Sequence, residues 1–220
     1  HMSHEIRTPL TAISGISEIL NKQKDTFNKK QQSLLSTLST RTSSLKELIN
    51  DILDFSKIEN GGVELEMKIF AIEQIFEETI SMMALKANEK HIGFKVDYDD
   101  IRGVDVYGDS TRIRQVLMNL VGNAIKFTDQ GSVTLNVSLN QIRAQKASIH
   151  FEVTDTGIGI KKCDYTKLFK SFSQIDQTLT KKYKGTGLGL SICKLLCNLM
   201  NGDIWVESEY GIGSTFYFTF

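Results

Sequence analysis

KGTGLGLSI, residues 184–192, sets glycine at every second position and then runs straight into an apolar helical pattern that ends LLCNLM. A glycine loop at a helix start lets backbone N–H groups approach phosphate oxygens, and the helix N-terminus favours negative charge. Alone the loop is weak evidence, because it can be only a tight turn. It is neither a P-loop, lacking GK[ST], nor the opening dinucleotide fingerprint of a strand-turn-helix unit. Two other stretches sharpen it. DTGIGI (155–160) places an acid and two glycines directly after a strand pattern, and NLVGNAIKF (119–127) puts Asn119, Asn123 and Lys126 on one helix face. Neutral amide oxygens suit Mg²⁺, a lysine suits phosphate, and a carboxylate after a strand can accept from an adenine amine. Together the three stretches describe an ATP site that is not of the P-loop kind.

The grammar around these stretches predicts alternating strands and helices. VELEMKIF and HIGFKVDYD read as strands, FAIEQIFEETISMMALKANEK as an amphipathic helix, and DSTRIRQVLMNLVGNAIKF as a long helix. SVTLNVSLN and ASIHFEVTD alternate with period two, and DIWVESE and GSTFYFTF close the chain as strands. Helices gathered beside a mixed or antiparallel sheet make an α+β class, here an α/β sandwich.

Upstream of Gly61-Gly62 the pattern is helical instead. Ile6, Leu10, Ile13, Ile16 and Leu20 recur at helical spacing, the polar stretch NKQKDTFNKK interrupts, and Leu34, Leu38, Leu45, Leu48, Ile52 and Phe55 resume. This predicts an antiparallel helical hairpin over residues 3–60 and an α/β layer domain over 63–220. The hairpin stripe packs either on the rest of the chain or against a second hairpin as a dimeric four-helix bundle, and the pattern favours the dimer.

Bulk numbers exclude several classes. The 220 residues carry 26 Lys plus Arg against 26 Asp plus Glu, so no net field favours nucleic acid or an anionic membrane. No run of about 18 apolar residues is present to span a membrane. Cys163, Cys193 and Cys197 have no framework spacing; Cys193 and Cys197 share a helix face, and buried free thiols in a reducing compartment are favoured over a metal pair. Trp205 reads as a packed core aromatic. His1 and Met2 have the look of a cloning remnant, so the sequence is expected to be a piece of a longer protein.

The motifs also resemble, in order and over essentially the whole chain, those of sensor histidine kinases. SHEIRTPL (3–10) resembles the phosphoacceptor box and GDSTRIRQVLMNLVGNAIKFT (108–128) the asparagine box. DTGIGI is similar to the first glycine box, LFKSF (168–172) to the phenylalanine box, and GTGLGLSI to the second glycine box. SQID and NDILDFSKIENG look most like hybrid kinases, which carry a receiver domain further on.

The resemblance implies an autophosphorylating kinase using ATP and Mg²⁺. His4 would be the phosphoacceptor, Glu5 the acid that orients its imidazole or takes its proton, and Thr8 the residue that assists water attack in a phosphatase reaction. Asn123 would be the main Mg²⁺ ligand with Asn119 assisting, and Lys126 would meet phosphate. Asp155 would read the adenine amine, with Gly157 and Gly159 making room for the base. Gly185, Thr186, Gly187, Leu188 and Gly189 would shape the loop around the phosphates. Residues 161–184 would form a lid, with Phe169 and Phe172 anchoring it. Imidazole is largely neutral at pH 7, so a ring nitrogen can attack the γ-phosphorus, while Mg²⁺ and a lysine offset triphosphate charge.

Implied partners are a receiver domain and a second copy of the chain, with no nucleic acid. The implied location is the cytoplasmic portion of a membrane-anchored sensor, any membrane segment lying outside this sequence. Two departures stand out: SFSQIDQ offers Gln174 where many relatives carry a lid arginine, with Lys181, Lys182 or Lys184 as substitutes, and IKKCDYTKLF lacks the usual proline and acids. A phosphatase-biased module whose ATP site only sets conformation is the alternative from another class. A gyrase- or chaperone-type ATPase is a third reading, and the hairpin and phosphoacceptor box speak against it.

Overall fold

The computed structural model describes residues 2–142, 146–173 and 186–220, with side chains of the first helix from Thr8 onward. The chain forms two compact units, residues 1–60 and 61–220.

The first unit is a hairpin of α1 (Met2–Lys22) and α2 (Lys29–Glu59), joined through a 3₁₀ turn at Lys24–Thr26. Asn28 starts α2 with a capping box: its side chain accepts from the Gln31 N–H, and the Gln31 side chain accepts from the Asn28 N–H, both at 2.9 Å. Such a cap is worth about 1 kcal/mol. The Ser17 and Ser39 hydroxyls meet at 2.7 Å, and among the described side chains Leu10, Ser17, Leu35 and Thr42, at seven-residue steps on each helix, are the buried positions. The apolar series Ile13, Ile16, Leu34, Leu38, Leu45, Leu48 and Ile52 is instead between 38% and 63% exposed. Two helices bury only a narrow strip of each, so the wider stripe faces outward. Asn60 closes α2, and Gly61 follows at φ 68°.

The second unit begins with a small antiparallel sheet, β1 (Lys68–Ala71) paired with β3 (Asp105–Gly108). The main sheet holds β2 (Gly93–Asp97), β4 (Ser132–Ile142), β5 (Lys146–Asp155), β6 (Ile204–Glu209) and β7 (Gly213–Thr219) in the order β2-β4-β5-β7-β6. β2 and β4 are parallel and the other pairs antiparallel. α3 (Glu73–Glu89), α4 (Ser110–Phe127) and α5 (Gly189–Leu199) form the helical layer, with α4 packed between α3 and α5. Val133, Leu135, Phe151, Val153 and Phe218 from the sheet and Ile113, Val116, Leu117, Leu120 and Val121 from α4 are fully buried. This is the expected α+β sandwich, with its period-two and period-3.6 faces turned toward one core.

Three local expectations change. Of VELEMKIF only Lys68, Ile69 and Phe70 join a ladder, which continues to Ala71. Glu66 donates its N–H to the Asp109 carboxylate at 2.9 Å, so a buried side chain takes the place of a partner strand there. DVYG forms β3, too short for its alternation to register in sequence. Trp205 is not a core residue: it is 36% exposed, stacked on Tyr217 at 5.3 Å and edge-on to His150 at 5.4 Å. Cys193 and Cys197 are free and buried, and burial pushes the Cys197 thiol up to about 12.

α3 ends in a tight terminator. The His91 N–H donates to Asn88 O at 2.9 Å and the Ile92 N–H to Ala87 O at 3.1 Å, with His91 in the left-handed region at φ 57°. A histidine pays a steric cost there that glycine does not. His91→Gly is expected to raise stability by about 0.5 to 1 kcal/mol, read as a higher urea midpoint at unchanged slope.

Candidate functional site

The amide face of α4 forms because Asp109 caps the helix, its Oδ1 accepting from the N–H groups of Thr111 at 3.0 Å and Arg112 at 3.1 Å. With the apolar side of α4 turned to the sheet, Asn119, Asn123 and Lys126 lie half-buried on another side. The Asn123 Nδ2 donates to Asn119 Oδ1 at 2.9 Å, which leaves the Asn123 Oδ1 as the amide oxygen not used in that bond. The Lys126 ammonium stands 4.9 Å from the centroid of the Phe127 ring.

α5 starts directly against this face. A Cβ on Gly189 would collide with the Asn119 carboxamide, so a side chain at this first turn of α5 would displace that amide from its present position. Ahead of it Gly187 is left-handed at φ 73°, and the Leu188 N–H donates to Thr186 Oγ1 at 3.2 Å. Leu188 is buried, and its carbonyl accepts from the Ile192 N–H at 2.9 Å and the Ser191 hydroxyl at 2.8 Å. Gly185, Gln174, Lys181, Lys182 and Lys184 lie outside the described residues, as do residues 174–184 of the expected lid. Of the two phenylalanines, Phe169 is half-buried and Phe172 is exposed with φ 59°.

Asp155 ends β5 in the middle of the sheet and is buried. Its Oδ1 accepts from the Gly157 N–H at 2.8 Å. Burial raises its carboxyl above the ordinary carboxylate range, against the smaller opposite pull of the Gly157 and Ser214 backbone N–H groups. A carboxylate so placed can accept a further hydrogen bond from a ligand N–H.

The loop after Asp155 is pinned on two sides. On one, the Ile158 N–H donates to Phe127 O at 3.4 Å. On the other, Ile158 O accepts from the Gly211 N–H at 2.8 Å, and the Ile160 N–H donates to Ser208 Oγ at 2.8 Å. A Cβ on Gly157 would lie 2.5 Å from Phe127 O and 2.8 Å from Asp155 Oδ1. One on Gly159, at φ 64°, would collide with Glu209 O. Both glycines are thus spent on contacts with the protein's own backbone. The Phe127 carbonyl and the β6–β7 turn carry no side-chain signal, so sequence reasoning does not find them.

The structure brings α4, the Asp155 loop and the start of α5 together in the second unit: Phe127 O touches the loop, and Asn119 touches Gly189. In the first unit His4 and Glu5 lie on α1 ahead of its described side chains, and Thr8 follows His4 at i+4 and is exposed. Among the described residues no helix is long and apolar enough to cross a membrane.

Comparison with known proteins agrees with this layout. Residues 108–220 match the model of the histidine kinase-, DNA gyrase B- and HSP90-like ATPases, and residues 1–61 match the His kinase A (phospho-acceptor) domain. Hybrid signal transduction histidine kinase B of Dictyostelium discoideum is 42% identical over 218 residues, 99% of this chain and 11% of that protein. Signal transduction histidine-protein kinase BarA of Escherichia coli K12 is 37% identical over 99% of this chain and 24% of its own length. The chain thus spans about a tenth to a quarter of these relatives. Among solved structures, full-length ShkA in complex with AMPPNP superposes with TM-score 0.78 at 31% identity, covering 99% of this chain and 44% of that one. The histidine kinase AdeS of Acinetobacter baumannii, at 24% identity and TM-score 0.68, shares the fold. By sequence, by motif order and by fold, the chain belongs to the histidine kinase-, DNA gyrase B- and HSP90-like ATPase family, as a histidine kinase with a phospho-acceptor domain ahead of its ATPase domain.

Proposed function

We propose that this chain is the autophosphorylating core of a hybrid sensor histidine kinase, which moves the γ-phosphate of ATP to His4 and then to an aspartate of a receiver domain. Residues 3–60 are the dimerisation and phosphotransfer hairpin in this reading, and residues 63–220 the catalytic ATP-binding domain. The observation that carries it is the junction of three elements. The Asn119–Asn123 pair faces the α5 start at Gly189, and the Phe127 carbonyl at the end of the same helix holds the loop of Asp155.

Asp155, buried at the end of β5, accepts from the adenine amine. The N–H groups at the start of α5 and the residues Thr186–Gly189, with Gly185, border the phosphates, and Lys126 adds a positive charge. The Asn123 Oδ1, with Asn119 behind it, is the neutral oxygen that fits Mg²⁺, a hard cation that keeps phosphate and water in its shell. When bound, Mg²⁺ offsets charge on the β- and γ-phosphates. His4 is the nucleophile: its neutral ring attacks the γ-phosphorus, the bond to the β,γ-bridging oxygen breaks, and ADP leaves. Glu5 takes or steadies the ring proton. Thr8, at i+4 on the same helix side, positions water when the flux runs toward phosphate release.

The exposed apolar stripe of the hairpin supports a homodimer, in which a second copy covers Ile13, Leu34, Leu38 and Leu45. The hybrid kinases among the relatives support a receiver domain as the downstream partner, and a cytoplasmic location on a membrane-anchored sensor follows from the same reading. The test is incubation with γ-labelled ATP and Mg²⁺. Label that is acid-labile, alkali-stable and removed by His4→Gln is expected. Absence of label on a wild-type protein that binds nucleotide overturns the kinase reading and leaves the phosphatase-biased one.

A further inference from the structure

The end of α4 has a complete account of its last four carbonyls, the groups a helix leaves without intrahelical partners. Ala124 O accepts from the Thr128 N–H at 3.1 Å and its hydroxyl at 2.8 Å. Phe127 O accepts from Ile158 in the Asp155 loop. The other two, Ile125 O and Lys126 O, are taken by one side chain from a different element: the Lys90 Nζ donates to them at 2.7 and 2.9 Å, and to Thr128 O at 2.9 Å. An ammonium has three N–H donors, and here all three are used on carbonyls that flank Phe127 on both sides. The positive charge also sits at the negative end of the helix dipole.

Lys90 is itself held in place. It is the C-cap of α3, and the terminator through His91 and Ile92 fixes its backbone. Immediately beyond, the Gly93 N–H donates to Gly131 O at 2.8 Å, tying the start of β2 to the turn that follows α4. The lysine therefore bridges two points of the backbone that are each fixed independently.

We propose that Lys90 is a positioning residue for the nucleotide site. By holding the carbonyls on either side of Phe127, it sets where Phe127 O meets the Gly157–Ile158 loop and how the Asn123–Lys126 turn is presented. Lys90 acts through the helix end rather than on the ligand, and the consequence for ATP rests on the reading of this site given above.

Lys90→Met keeps the aliphatic stem and removes the ammonium. Its expected effects are two: exchange of the Ile158 amide hydrogen accelerates in the nucleotide-free protein, and the Kd for ATP with Mg²⁺ rises about tenfold, the usual scale for a residue that orients a ligand-binding group. Ile149→Val, a destabilising change at the far end of β5, serves as the control and is expected to keep the wild-type Kd and Ile158 exchange. Lys90→Arg keeps the charge but places its donors in one plane, so a smaller rise, about threefold, is expected; this variant carries the test if the Met variant does not fold. A folded Lys90 variant with wild-type Kd and wild-type Ile158 exchange overturns the proposal. So does an Ile149→Val protein that shifts both as far, since the effect would then belong to stability alone. If the wild type does not bind ATP, the ATP reading fails by itself, and the Ile158 exchange rate still decides whether Lys90 holds the loop.

Discussion

Gly157→Ala is expected to remove nearly all nucleotide binding while leaving a folded protein. The added methyl carbon would stand 2.5 Å from Phe127 O, 2.8 Å from Asp155 Oδ1 and 2.9 Å from the Phe127 carbonyl carbon. The nearest of these and one other are backbone atoms of Phe127, which cannot swing aside. Ordinary contact distance requires the loop to lift from α4 by about half an ångström or more. That movement lengthens the Ile158–Phe127 hydrogen bond, already 3.4 Å, and turns the Gly157 N–H away from the Asp155 carboxylate. The fold loses roughly 1 to 3 kcal/mol, the cost of overpacking one site. The ligand loses about 100-fold in affinity, because the carboxylate and the helix face cease to be held in one geometry. Titration calorimetry with ATP and Mg²⁺, together with a urea unfolding curve, separates the two effects. Wild-type affinity in the folded variant would show that Gly157 is not part of the nucleotide loop's geometry.

Asp155→Asn separates binding from stability in another way. Asparagine keeps the shape and can still accept from the Gly157 N–H, but it presents an amide NH₂ in place of one carboxylate oxygen. Meeting an adenine amine, that group sets donor against donor and forfeits a charge-assisted hydrogen bond worth about 1.5 to 3 kcal/mol, so affinity should fall roughly 100-fold. The stability effect depends on pH. Burial raises the folded pKa of Asp155, so folding favours the protonated acid. Its contribution to stability is complete below the unfolded value and is lost as pH rises through the raised folded value. Asparagine does not titrate. The variant is therefore expected to gain stability relative to wild type as pH goes from about 4 to 7, read from urea midpoints at the two ends. A relative stability that is flat or falls with pH would contradict the burial argument.

Much of the site is legible in the residues because its chemistry depends on side chains at helical or loop spacing. Asn119 and Asn123 are four apart on α4, so any helix there brings their carboxamides together, and the structure places them 2.9 Å apart. The acid of DTGIGI ends a strand because the alternating ASIHFEVTD before it leaves Asp155 at its last position. The reasons for the glycines were not legible. Gly157 and Gly159 read as room for a base, and the structure adds that the Phe127 and Glu209 carbonyls exclude a Cβ at these positions. Gly189 reads as part of a phosphate loop, and it is also the point where α5 closes on Asn119. Trp205 reads as core because aromatics usually are, but β6 turns it to the open face of the sheet.

The sequence by itself determined the α+β class and most element types, β3 and the start of VELEMKIF excepted, and it singled out the asparagine, aspartate and glycine-loop residues, since each of these follows from local periodicity or from a motif contained in a few consecutive residues. Tertiary structure alone decided the contacts made by backbone carbonyls and by residues far apart in the chain. Nothing in ANEKHIG announces that Lys90 reaches the carbonyls of Ile125, Lys126 and Thr128, because a lysine at a helix end normally points to water. Nor does the hairpin pattern say which apolar positions two helices bury and which they leave exposed. Every carbonyl is chemically alike in sequence; only packing determines which donor each one meets.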